Sequence, residues 1–124
     1  MLGYWEASIE RHDNILFFKY ENMMGDTRGH VKKLAEFLGQ PFSTEEEEQG
    51  VLDKIVDVCS FEKLSNFDVN KNGKHRGGTT LDTNSNIYFR KGKVGDWENV
   101  LIQEMSEKLD QIMDEKFKGS GLIL

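Results

Sequence analysis

The sequence predicts an α/β fold that is mostly helical within these 124 residues and contains one buried strand. The strand is predicted at residues 15–20, where four apolar residues follow one another without alternation, as in a strand buried on both faces of a parallel sheet. Helices are predicted where apolar residues recur at helical spacing between capping signals. The sequence contains no second strand of comparable quality, so the strand's partners must come from further sequence or from another chain.

Composition and charge exclude several classes of protein. At this length the chain is one domain or a piece of one. The formal net charge of −6 argues against general nucleic-acid binding. The single cysteine, Cys59, excludes an internal disulfide and cysteine-rich zinc sites and fits a reducing compartment. Because no signal-peptide or membrane-span pattern is present, we expect a cytoplasmic protein with no nucleic-acid and no membrane partner.

The helices are predicted from their capping residues and apolar faces. The predicted segments are residues 1–11, a helix from Asp26 or Thr27 to Leu38, a helix opened by the capping box Ser43–Glu46 with an apolar stripe from Val51 to Cys59, and a helix through Met105 and Met113 that ends before Gly119. Cys59 lies on the apolar stripe and has no neighbouring base, so it is predicted to be a core residue and not a nucleophile.

Residues 65–87 are predicted to form a long loop. They are rich in Asn, Gly, Thr and Lys, and a segment of this kind is usually either functional or disordered. Residues 68–73 match the first half of a calcium-binding loop, but Thr79 stands where a bidentate glutamate is needed, and three basic residues follow Gly73. We therefore expect no metal.

A glycine-rich basic loop is predicted at residues 88–99. Arg90, Lys91 and Lys93 lie within four residues, interrupted by Gly92 and followed by Gly95. Glycines let the backbone turn sharply and bring its N–H groups close to a ligand. Asp96 is predicted to cap a helix that begins at Trp97. The combination favours a phosphate site, although a solvated basic turn before a helix explains the same residues.

The string from Arg90 to Asn99 resembles the signature near the C-terminus of cytosolic sulfotransferases, R-K-G-x-x-G-D-W-x-N, at every fixed position. Residues 15–21 resemble the family's strand that ends in a Tyr-Glu pair, and residues 34–39 resemble the helix that follows it. Residues 59–61 resemble its short turn near the adenine of the nucleotide. The sequence of these segments is most similar to the plant branch of the family. The whole chain, residues 1–124, thus resembles the C-terminal segment of a sulfotransferase domain with a P-loop-kinase-like α/β fold.

The resemblance implies transfer of a sulfuryl group from 3'-phosphoadenosine 5'-phosphosulfate to a hydroxyl of a small acceptor, such as a flavonoid or a steroid. Arg90, Lys91 and Gly92 would hold the 3'-phosphate of this co-substrate. Tyr20 would approach the adenine, with Ser60 and Phe61 (and their neighbour Cys59) nearby.

The family's phosphosulfate-binding loop and catalytic histidine belong to its upstream half, and no matching stretch is present. His12, His30 and His75 do not stand in the catalytic context, so no catalytic residue is assigned and the chain alone is expected to be inactive. The region at 65–87 corresponds to one that helps to close the active site, which favours a mobile lid. The family's dimerisation pattern is altered at Glu98 and at residues 101–102, which leaves the oligomeric state open.

The sequence leaves two alternative hypotheses open. One is a non-catalytic module, derived from the same family, that binds a nucleotide or a protein partner. The other is a small helical structural domain without a ligand, which is favoured only if residues 15–20 are not a strand.

Overall fold

The computed structural model of the chain describes residues 1–80 and 82–123, which divide into two units. The first unit combines Met1–Gln40 with Val94–Leu124, and the second unit is Pro41–Lys93. The helices are α1 (Leu2–Glu10), α2 (Tyr20–Gly25), α3 (Thr27–Phe37), α4 (Thr44–Glu48), α5 (Val51–Val58), α6 (Phe61–Asn66), α7 (Asp68–Lys71) and α8 (Gln103–Phe117). The strands are β1 (Lys74–His75) and β2 (Thr83–Asn84), and 3₁₀ helices form at Ser85–Tyr88 and Asp96–Asn99. The mostly helical content agrees with the prediction.

Trp5 joins distant parts of the first unit. Its indole Nε1–H donates to the carbonyl oxygen of Ser120 at 2.9 Å. Its ring meets that of Phe17 edge to face, with the centroids 5.5 Å apart, a favourable geometry for aromatic pairs. Nearby in the chain, Phe18 makes a similar contact with His30 at 4.9 Å. Aromatic contacts therefore fix residues 17–18 against α1 and α3.

The buried strand predicted at residues 15–20 is not a strand in this structure. Residues 15–19 carry no strand assignment, and Tyr20 already begins α2. Phe17 and Phe18 are half-buried, whereas Leu16 is exposed. The reason is that a strand needs a hydrogen-bonded neighbour, and the one ladder among the described residues is β1–β2 in the second unit. Lys19 nevertheless keeps an extended backbone, with φ −87° and ψ 135°.

Three predicted helices of the first unit are confirmed: α1 within residues 1–11, α3 and α8. The Asp26 carboxylate accepts a hydrogen bond from the Gly29 amide at 2.9 Å, so Asp26, and not Thr27, is the N-cap of α3. Helix α8 spans Gln103–Phe117 and ends before Gly119, as predicted. Gly119 has a φ of +80°, a conformation that glycine adopts without strain.

The capping box predicted at Ser43–Glu46 is present, and it begins a helix that is shorter than expected. The Ser43 hydroxyl accepts from the Glu46 amide, and the Glu46 carboxylate accepts from the Ser43 amide. Gly50, at φ +68°, then separates α4 from α5. Leu52 is 1% exposed, but Ile55 and Cys59 are exposed. The prediction of Cys59 as a core residue is therefore wrong, because only one position of the stripe is fully covered.

The predicted loop at 65–87 contains short elements of its own. The strands β1 and β2 pair antiparallel, with Lys74 opposite Asn84 and His75 opposite Thr83. Lys74 forms an ion pair with Asp82 at 3.0 Å across the hairpin. Leu81 lies outside the described residues. The hairpin gives this segment local order, and its mobility stays a prediction.

Neither a membrane span nor a metal cluster is found in the described parts of the chain. Across residues 1–80 and 82–123, no helix is both long and apolar enough to cross a bilayer. The same residues contain no group of three or more His, Cys, Asp or Glu side chains that could hold a metal ion.

We predict that Leu52→Ala destabilises the chain by about 2–5 kcal/mol, because it leaves a cavity at a fully buried position. Ile55→Ala, on the same helix but at a site that is 39% exposed, is the matched control and should cost less than half as much. Urea unfolding followed by circular dichroism measures both changes. Equal losses would show that Leu52 is not the packing centre of α5.

Candidate functional site

The basic loop of the second unit leaves its cations at the surface. Arg90, Lys91 and Lys93 are all exposed, whereas Gly92 is half-buried. The 3₁₀ helix Ser85–Tyr88 and then Phe89 lead into this loop. The concentration of positive charge stands out in a chain whose net charge is −6. An exposed guanidinium next to an ammonium offers a fork of donors and a point charge to an anion.

Gly92 lies against the ring of Phe61. Its φ is +61°, in the left-handed region that favours glycine. A Cβ built at Gly92 would lie 2.6 Å from Cγ and 2.9 Å from Cε2 of Phe61, closer than real Cβ atoms approach other atoms. Only a residue without a side chain therefore fits this position while the ring stays in place. The structure thus brings together two of the predicted site residues, from segments some thirty positions apart in the sequence.

Phe61 has a second aromatic contact within the same unit. Its ring centroid lies 5.8 Å from that of Phe89, with the planes inclined by 56°, within the favourable range for aromatic pairs. Phe61 remains 37% exposed, so part of its ring is open to a ligand. The role of Phe89 is not predicted from the sequence, although an aromatic residue directly before the Arg-Lys pair is a signal that points to it.

Ser60 fixes the start of the helix that carries Phe61. It is the N-cap of α6, and its hydroxyl accepts a hydrogen bond from the Lys63 amide at 3.3 Å. Serine suits this position because its oxygen satisfies an amide that has no partner inside the helix. The Lys63 ammonium also forms an ion pair with the Asp57 carboxylate of α5. Phe61, the first residue of α6, is therefore held on a capped helix terminus.

Tyr20, the remaining predicted site residue, belongs to the first unit. It is the first residue of α2 and is 44% exposed. It lines an open cleft of about 550 Å³, together with Tyr4 and the apolar residues 15–18. Its approach to the adenine stays a prediction.

The predicted loop 88–99 is divided between the units, and its second half differs from the prediction. Residues 94–99 belong to the first unit. The 3₁₀ helix begins at Asp96, with Gly95 as its N-cap at φ +81° and no side-chain capping bond. The N-cap role predicted for Asp96 is therefore wrong. The Asp96 carboxylate instead lies within the first turn, where Asn99 Nδ2 donates to Oδ1 at 3.3 Å.

The histidines have local contacts in different parts of the chain. His12 Nε2 lies 3.1 Å from Asp13 Oδ1, and both side chains are exposed. His30 Nδ1 lies 2.7 Å from the carbonyl oxygen of Asp26 at the start of α3. The His75 ring packs edge to face on Tyr88, with the centroids 5.8 Å apart.

Comparison with known proteins gives consistent matches. The family described as the sulfotransferase domain matches residues 1–121. The chain is 51% identical over 124 residues to flavonol 4'-sulfotransferase of Flaveria chlorifolia and to flavonol 3-sulfotransferase of Flaveria bidentis, covering 100% of this chain and 38% and 40% of those proteins. It is 50% identical over 123 residues to cytosolic sulfotransferase 17 of Arabidopsis thaliana, covering 99% of this chain and 36% of that protein.

A solved structure matches as well. The mouse sulfotransferase SULT7A1, crystallised in complex with PAP, is 29% identical, and the match covers 97% of this chain and 40% of that one, with a TM-score of 0.71. The chain thus spans about 40% of the length of the proteins it matches.

We predict that Ser60→Ala weakens the N-terminus of α6 by about 1 kcal/mol, because the Lys63 amide loses its acceptor. Amide hydrogen exchange at residues 61–64 measures the effect. Ser65→Ala is the matched control on the same helix, since that hydroxyl donates to the Glu62 carbonyl and caps nothing. Equal exchange rates in the two variants would contradict the capping role of Ser60.

Proposed function

This chain belongs to the sulfotransferase domain family, and we propose that it forms the part of a sulfotransferase that binds the 3'-phosphate and the adenine of 3'-phosphoadenosine 5'-phosphosulfate. The family predicted from the R-K-G-x-x-G-D-W-x-N motif is confirmed by the match over residues 1–121. The predicted sulfotransferase fold is confirmed by the structural match. The alternative of a non-catalytic module derived from this family is not favoured, because the similar proteins are named sulfotransferases. The condition for a small helical domain without a ligand is met, because residues 15–19 are not a strand, but the family match over residues 1–121 favours the sulfotransferase.

The contact between Phe61 and Gly92 is the observation that supports this assignment most strongly. The base and the 3'-phosphate of such a nucleotide are attached to one ribose, so a site for both needs an aromatic surface close to anion-binding groups. In the second unit, the exposed part of Phe61 provides the aromatic surface. The loop against which it packs carries Arg90 and Lys91. Stacking on an aromatic side chain is a common means of binding a base.

The roles of the loop residues follow from their chemistry. Arg90 would bind phosphate oxygens with its planar guanidinium, and Lys91 would add a point charge. Gly92 would leave its backbone N–H accessible, since no side chain covers it. These donors fit a phosphate group without a metal. Tyr20 would approach the adenine, as the sequence resemblance implies.

The proposed chemistry of the whole enzyme is in-line sulfuryl transfer to a hydroxyl. Arg90, Lys91 and Gly92 would act at the end of the donor remote from the bond that breaks. Binding energy from such a remote group holds the reacting centre in place. We propose a small hydroxylated acceptor of the flavonoid kind, because two similar proteins are named flavonol sulfotransferases. We also propose a cytoplasmic location, because other relatives are named cytosolic sulfotransferases.

We predict that Arg90→Ala weakens binding of 3'-phosphoadenosine 5'-phosphate to this chain by roughly ten- to a hundredfold, the usual worth of a hydrogen bond to a charged group. Isothermal titration calorimetry measures the affinity. Arg11→Ala, which removes the same charge at an exposed position after α1, is the control and should leave the affinity unchanged. Adenosine 5'-phosphate, which lacks the 3'-phosphate, should bind parent and Arg90→Ala chains equally.

An unchanged affinity of Arg90→Ala for 3'-phosphoadenosine 5'-phosphate would remove Arg90 from the site. An equal loss with both nucleotides would mean that Arg90 does not recognise the 3'-phosphate.

We also predict that this chain, given 3'-phosphoadenosine 5'-phosphosulfate and a flavonol, forms no sulfated product above the uncatalysed background. The residues assigned above bind one end of the donor, and none is assigned to the bond-breaking step. Chromatographic detection of the sulfated flavonol measures turnover. Sulfation by the chain itself would show that catalytic groups lie within these residues.

A further inference from the structure

We infer that Gly92 is a positioning residue for Phe61. The phosphate-binding loop and the aromatic surface for the base would then be packed together in a fixed relative position. The inference rests on the proposed function for its ligand, but the packing it describes is testable without one. It gives Gly92 a second role beyond leaving a backbone N–H accessible to phosphate. That role is to leave room for the phenyl ring.

The space around Gly92 supports this role directly. A Cβ at this position would overlap the ring of Phe61 at Cδ2, Cγ and Cε2 together, so the overlap involves three adjacent ring atoms and not a flexible tip. Gly50 provides a contrast within the same unit. Its φ is +68°, close to the +61° of Gly92, yet a Cβ there would meet nothing within 4 Å. Backbone strain alone therefore does not distinguish these glycines, whereas contact with Phe61 does.

The loop holds Phe61 from both sides of the basic pair. Phe89 precedes Arg90 and contacts the ring of Phe61, and Gly92 follows Lys91 and lies against the same ring. A displacement of the ring therefore disturbs the packing on both sides of Arg90 and Lys91. The capped start of α6 restricts the backbone of Phe61 in turn. Recognition of the base and of the 3'-phosphate should accordingly be coupled.

The first test measures the packing without a nucleotide. In a chain with ¹³C-labelled phenylalanine rings, Gly92→Ala should shift the ring resonances of Phe61 and Phe89. The added methyl group displaces the Phe61 ring from its contact with position 92. Gly50→Ala, the matched control for strain at positive φ, should leave both resonances in place. Unshifted Phe61 resonances in a folded Gly92→Ala chain would overturn the inference whether or not the chain binds nucleotide.

A double variant keeps the test decisive if Gly92→Ala impairs folding. In the Phe61→Ala background the overlap is absent, so adding Gly92→Ala should lower the urea midpoint no more than Gly50→Ala does in the parent chain. A Gly92→Ala effect of the same size with and without the Phe61 ring would overturn the inference.

The second test uses two nucleotides that differ only in the 3'-phosphate. If Gly92 positions Phe61, Gly92→Ala should weaken binding of adenosine 5'-phosphate as well as 3'-phosphoadenosine 5'-phosphate, each by about tenfold, the order of a lost stacking contact. If Gly92 served the phosphate alone, only the second nucleotide would lose affinity, as predicted for Arg90→Ala, and the inference would fail. The positioning role is supported if Gly92→Ala weakens binding of both nucleotides while Arg90→Ala weakens binding of 3'-phosphoadenosine 5'-phosphate alone.

Discussion

The arrangement of the second unit depends on the contact between the ring of Phe61 and the bare backbone of Gly92. This contact joins the start of α6 to the basic loop and excludes any side chain at position 92. Phe89 adds a second aromatic contact to the same ring, and Ser60 caps the helix on which the ring is mounted. A surface loop with two adjacent cations is common and carries little information. A loop packed on a partly exposed aromatic ring has a shape that suits a phosphorylated nucleoside.

Contacts such as the one between Phe61 and Gly92 are important because few apolar side chains are buried among the described residues. Leu52 and Leu122 are the buried apolar side chains among residues 1–80 and 82–123. Large apolar side chains of α8, including Leu109 and Ile112, remain exposed. Short helices are marginal without tertiary packing, so capping bonds, glycine turns and aromatic pairs contribute more to the stability of each unit. The capping box at Ser43, the cap at Asp26 and the Trp5–Ser120 hydrogen bond are examples.

The features predicted correctly from the sequence are those encoded by adjacent residues. The caps at Asp26 and Ser43, the ends of α3 and α8, and the sulfotransferase motif depend on spacings of a few positions. Features that depend on distant partners were missed or predicted wrongly. The apolar run at 15–20 has the composition of a strand but finds no ladder partner among the described residues. Cys59 lies on an apolar stripe in which Leu52 is the one buried position. The contact of Phe89 with Phe61 joins residues far apart in the sequence. Asp96 has the chemistry of an N-cap, but Gly95 adopts the capping position through its positive φ.

The most direct test of the central claim, that the second unit holds both the 3'-phosphate and the base, is a titration of this chain with 3'-phosphoadenosine 5'-phosphate followed residue by residue by NMR. We expect saturable shifts at Ser60, Phe61 and residues 89–92 with a single dissociation constant, and none along α3 around Lys33. Saturable shifts that leave residues 60–61 unmoved while residues 90–92 respond would contradict it, as would an absence of shifts at millimolar nucleotide.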